Sequence, residues 1–107
     1  MKSLSLGEIN ERSAKIRALY HELEQHHHGS EWTVEEDALA FLTDAGLVGR
    51  LAMSQQGRWL KANTNEELQH KIGECIWWIS VLANRMDIDL NAAVEDFLTN
   101  TENLLAK

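Results

Sequence analysis

At 107 residues the chain has material for one hydrophobic core, since two would leave each only about 50 residues. With 44% hydrophobic and 25% charged residues it is too apolar to remain disordered. A net charge of -7 excludes the sequence-independent grip on a phosphate backbone that clustered Lys and Arg provide, so no nucleic acid polymer is expected as a partner. A small nucleotide stays open, because a divalent cation neutralises carboxylates and phosphates together.

The first predicted element is an amphipathic helix over about 6–27, in which Ile9, Ile16, Leu19, Tyr20 and Leu23 recur at helical spacing and Gly29 marks the stop. Thr33 followed three residues later by Glu36 is a capping-box pattern, which opens a second helix over about 34–54. Its buried side should draw on Leu39, Leu42, Ala45, Gly46 and Val48 to Met53, with Gly46 and Gly49 suited to close approach by another helix. "QQGRWLKANTN" is the connection. Thr64 with Glu67 is a second capping-box candidate, opening a third helix over about 65–86. A break at Asp87 to Asp89 precedes a fourth helix carrying Leu90, Val94, Phe97, Leu98 and Leu104 on one face.

The expected fold is therefore all-α, a four-helix bundle in one domain over 1–107, with 1–30 as an N-terminal helix. The third helix is apolar almost all round, which calls for cover on two sides. A single small bundle does not supply that, so completion by oligomerisation, as a homodimer or tetramer, is expected.

Cys75 is the only cysteine, which rules out an intrachain disulfide and fits a reducing cytoplasm. "MKSLSLGEINERS" lacks the apolar region of a signal peptide, and the longest apolar run falls short of the roughly 18 residues of a membrane span. A soluble, cytoplasmic protein without a membrane partner is expected.

His26, His27 and His28 stand at a helix end, where adjacent side chains point about 100° apart and do not converge on one metal. A solvated terminus favoured by the helix dipole is the expectation. Trp32, Trp59, Trp77 and Trp78 are expected to pack in core and interface, Trp77 and Trp78 on different sides of their helix so that one faces the protomer and one the oligomer. Cys75 reads as buried filler. No Ser/His/Asp order, Gly-rich phosphate loop or HExxH pair occurs. Carboxylates at i, i+3 or i+4 on the second and third helices remain, and two such helices side by side can offer a hard cation such as Mg²⁺ up to four of them.

"FLTDAGLVGRLAM" and "ELQHKIGECIWWISVLANRMDIDL" together resemble the MazG-like family of all-α nucleotide pyrophosphohydrolases, over about residues 35–105. The resemblance implies dimeric or tetrameric bundles that hydrolyse a nucleoside triphosphate to monophosphate and pyrophosphate with Mg²⁺. It also implies metal ligands in an ExxE motif on one helix and an ExxD motif on the next. By position these fall on Asp44 and Leu47 in "DAGL" and on Lys71 and Glu74 in "KIGE". Asp44 and Glu74 are then the metal-binding and catalytic candidates, and Lys71, Arg50 and Asn84 the substrate-binding ones.

Two of the four ligand positions are not acidic, so the formal charge of the cluster changes from about -4 to about -1. A unit charge 4 Å from another is worth about 4 kcal/mol at an effective dielectric near 20, and Mg²⁺ affinity should fall by orders of magnitude. Three readings follow. Lys71 pairs with Asp44 and Glu74, replacing the metal in a non-catalytic relative; or Glu36, Asp37, His70 or Asn84 serve as substitute ligands or contacts in an active enzyme; or the chain is a helical interaction module that shares only the fold.

Overall fold

The computed structural model describes residues 3–106, so Met1, Lys2 and Lys107 of the expected domain lie outside the described residues. Four helices account for most of it: α1 (Leu6–His28), α2 (Val34–Gln55), α3 (Thr64–Arg85) and α4 (Leu90–Leu105). Among the described residues there is no strand.

The helix starts are set by side chains that satisfy the first unpaired backbone amides. Ser5 caps α1 and Glu8 bonds back to the Ser5 amide, and Thr33 and Glu36 make the same reciprocal pair at α2. The expected Thr64/Glu67 box does not form. α3 instead begins after Asn63 in the left-handed region (φ 57°) without a side-chain cap. Thr64 Oγ1 donates to the Lys61 carbonyl at 2.6 Å and contacts Ser54 Oγ at 2.7 Å, so the loop claims the hydroxyl. Asp89 caps α4 by accepting from the Ala92 amide at 3.0 Å. α1 ends at Gly29, whose φ of 74° is one that a side chain would strain.

α3 is the central helix: α2 and α1 pack along it, and α4 touches only α1 and α3. Contacts between Ser54 and Thr64, Asp44 and Lys71, and Asp37 and Arg85 make α2 and α3 an antiparallel hairpin. Ser54, itself buried, organises the connection by accepting from the Lys61 amide at 2.9 Å.

The buried apolar set is small: Leu51, Trp78, Val81 and Ala83. Much of the side of α2 read as buried is open in the single chain, Leu39 and Leu42 each being 64% exposed and Met53 45%. α1 buries Ser13 and Arg17, while Ile16, Leu19, Tyr20 and Leu23 stay outside. α4 buries nothing. The periodicity marks which residues share a face but not whether the same chain covers it. A radius of gyration of 16.6 Å, against about 13 Å for a compact chain of this length, reflects the same incomplete closure.

Candidate functional site

α2 turns Asp44 toward α3, where Lys71 and Glu74 lie three residues apart and therefore on one face. Lys71 Nζ stands 3.0 Å from Asp44 Oδ1 and 2.9 Å from Glu74 Oε1, a single ammonium shared by carboxylates from two helices. The second Asp44 oxygen accepts from the indole Nε1 of Trp78 at 2.9 Å. Hydrogen bonds to Glu74 and then Asp44 hold the Lys71 pKa above its ordinary value, against the opposing effect of burial. His70 approaches from outside, its Nε2 3.8 Å from Glu74 Oε1.

Both Asp44 oxygens are thus taken, and the volume a cation would occupy between the two carboxylates holds an ammonium. Leu47 offers no donor atom and is 39% exposed beside this cluster. Among the described residues no three His, Cys, Asp or Glu side chains group to hold a metal ion. The residues present do not fit a Mg²⁺ centre of the kind the resemblance implies, in which oxygen ligands dominate.

The other candidates lie elsewhere or are occupied. Arg50 donates to the Trp59 carbonyl at 2.7 Å and stacks over that indole at 3.5 Å, fixing Trp59 despite its left-handed φ of 53°. Arg50, Lys61, His70 and Lys71 border a cavity of about 530 Å³ beside Leu47 and Leu51. Asn84 is not part of the Asp44 cluster. It lines a polar cleft with Asn10, Asp87, Asp89 and Asn91 at the opposite end of α3. Glu36 is committed to the α2 cap, accepting from the Thr33 amide at 2.9 Å.

Asp37 belongs to a network that the sequence did not suggest. Fully buried, it accepts from Arg17 Nη2 at 2.8 Å and Nε at 3.2 Å, and from Arg85 Nη1 at 2.8 Å. Arg17 also reaches Glu24 Oε2 at 2.8 Å, and Glu24 Oε1 accepts from the Trp32 amide at 2.8 Å. Burial works to raise the Glu24 pKa, but the bonds from Arg17 and Trp32 outweigh it and hold the carboxyl below its ordinary value. For Arg17, burial lowers and the bonds to Asp37 and Glu24 raise, with a net upward result. This network ties α1, α2 and α3 together, and it engages both Asp37 oxygens, which are sealed from solvent.

Of the two α3 tryptophans, Trp78 takes the inward place expected of one of them. Trp78 is 7% exposed, and Trp77 packs on its own chain, 5.8 Å from the Tyr20 ring and 4.5 Å from Trp78 by centroid. Trp32 and Trp59 are the exposed pair. Cys75 is half-buried, with burial first and the Asp44 and Glu74 charges second pushing its thiol pKa up, so it is not an activated nucleophile.

Comparison with known protein families, curated proteins and solved structures finds no match to this chain. No helix of the described residues is long and apolar enough to cross a membrane.

Proposed function

We propose that this chain is a MazG-like helical module in which an internal ion pair stands where the resemblance implies Mg²⁺, that it associates with itself in the cytoplasm, and that it does not hydrolyse nucleoside triphosphates at Asp44 and Glu74. The observation that carries this reading is the Lys71 ammonium within 3.0 Å of both carboxylates. An ammonium there satisfies the carboxylates as a cation would, but it cannot polarise a phosphate chain or activate water as Mg²⁺ does. A divalent ion entering the site must displace it or face its repulsion.

The reading of an active enzyme with substitute ligands is disfavoured by the commitments of Asp37 to two guanidinium groups and of Glu36 to the helix cap. Self-association draws support from the many large apolar side chains that one chain leaves exposed on all four helices.

The test is release of pyrophosphate from a panel of canonical and modified NTPs and dNTPs, with Mg²⁺ or Mn²⁺. The expected result is no turnover above background from folded protein. Turnover that disappears in Asp44→Asn would overturn the proposal.

A further inference from the structure

We infer that the aromatic cavity between α1, α3 and the loop joining α1 to α2 binds a small quaternary ammonium ion, held by the rings of Tyr20, Trp32 and Trp77 and by the Glu74 carboxylate. The inference depends neither on self-association nor on whether Asp44 and Glu74 are catalytically silent.

Of the four Trp, one Tyr and two Phe in the chain, the Tyr and three of the Trp line one cavity of about 280 Å³. α1 brings Tyr20, the loop brings Trp32, and α3 brings Trp77 and Trp78. The Tyr20 and Trp77 rings lie 5.8 Å apart by centroid with their planes at 59°, and Trp77 meets Trp78 at 4.5 Å and 54°. The walls are therefore set at angles and not stacked into a closed pile. Trp78 is buried, whereas Tyr20 and Trp32 keep 49% and 41% of their surface open, which gives a ligand an entrance.

The site is held ready. Trp32 donates its amide to Glu24 Oε1 at 2.8 Å and accepts from Arg85 Nη1 through its carbonyl at 2.9 Å, so this loop tryptophan is fixed by its own backbone. A wall that needs no ordering costs a ligand less on binding. Arg17 shows the same chemistry within the chain: its guanidinium carbon stands 5.9 Å from the centre of the Trp78 ring, while Asp37 and Glu24 hold its charge. Among the described residues no cation stands over the rings of Tyr20, Trp32 or Trp77.

Charge decides the class of ligand. Glu24, Glu74 and Arg17 line the cavity, and the ion pairs behind them add Asp37, Asp44, Lys71 and Arg85. Carboxylates thus exceed cations by one. Lys71 engages Glu74 Oε1, and Glu74 Oε2 has no hydrogen-bond partner among the described residues. Electron-rich ring faces and an open carboxylate oxygen attract a monovalent cation and repel a phosphate. The volume is at the small end of ligand pockets, which suits a compact ion and not a nucleoside triphosphate. A protonated amine carries several N–H donors, of which Glu74 Oε2 satisfies few and the rings none, whereas a quaternary ammonium carries no donor to leave unpaired.

The experiment is calorimetric titration of the full chain with three probes: choline chloride, its neutral analogue in which a quaternary carbon replaces the nitrogen, and phosphatidylcholine vesicles bearing the same headgroup. Saturable millimolar or tighter binding of free choline is expected, with the neutral analogue roughly tenfold weaker or more. Trp32→Leu retains the backbone bonds and an apolar side chain but removes one ring face, and should weaken choline about tenfold. Glu74→Gln should weaken it about threefold or more. Circular dichroism checks that both variants keep their helices. No choline binding by folded wild type, equal binding of the neutral analogue, or unchanged affinity in both folded variants would overturn the inference. Vesicle binding without binding of free choline would overturn it too, since the ligand would then be a membrane surface. Neither the pyrophosphate assay nor the oligomeric state alters these outcomes.

Discussion

Asp37 and Asp44 lie seven residues apart on α2, both inward-facing and both paired with cations, yet the two sites are built for different ends. Asp37 is sealed from solvent and gripped by two planar guanidinium groups, one from α1 and one from α3. Asp44 meets one ammonium on a flexible stem and one neutral indole, and the Lys71 and Glu74 side chains beside it keep 26% and 29% of their surface exposed. The first arrangement fastens three helices: Arg17 grips Asp37 with a two-pronged fork from α1, and Arg85 adds a single bond from α3. The second shares a compact cation between two carboxylates as a bound ion would. Position on a helix therefore does not set an acid's role; the cations that other helices bring to it do.

Asp37→Ala should produce the largest effect, because it leaves the buried Arg17 with Glu24 as its one hydrogen-bonded carboxylate. A loss of about 3–5 kcal/mol is expected in urea unfolding. Lys71→Ala removes the other cation from a site that water reaches, and should cost about 1–2 kcal/mol. If the two losses were equal, the distinction between a fastening network and an ion-pair replacement would fail.

pH separates the regions by sign. The Glu24 carboxyl is lowered from 4.5, so its contribution is fully present above that value and is lost as pH falls through its folded pKa. The Lys71 ammonium is raised from 10.5, so its contribution is fully present below that value and is lost as pH rises through its folded pKa. Urea midpoints measured against pH should lose part of the acid limb in Glu24→Gln and part of the alkaline limb in Lys71→Met. A reversal of those assignments would break the comparison.

Much of the helix layout was legible because it depends on local chemistry. The Thr33/Glu36 pair marked the start of α2, and Gly29 and Asp87 to Asp89 marked breaks. The α3 start falls within a residue of the expected one, but its cap was not legible, because the Thr64 hydroxyl that the pattern assigned to a cap is drawn into the loop by Lys61 and Ser54. The approach of Lys71 to Asp44 and Glu74 followed from helical spacing and the paired motifs. The Arg17–Asp37–Arg85 network did not, since its members are 20 and 48 residues apart and no spacing rule joins them. One signal was present: Asp37 precedes Asp44 by seven residues, two turns along the same face. The apolar stripes were read correctly as stripes, but Leu39 and Leu42 lie open because periodicity names a face without naming its cover.

The central claim is that Lys71 occupies the place of a metal ion. Its most direct test is a Mn²⁺ titration of the wild-type protein beside the paired substitution Leu47→Glu with Lys71→Glu. The account predicts no saturable binding by wild type at millimolar Mn²⁺, and affinity higher by more than roughly a hundredfold in the folded variant, which exchanges one cation and one neutral group for two carboxylates. Tight binding by wild type that is lost in Asp44→Asn, or no gain in the folded variant, would contradict it.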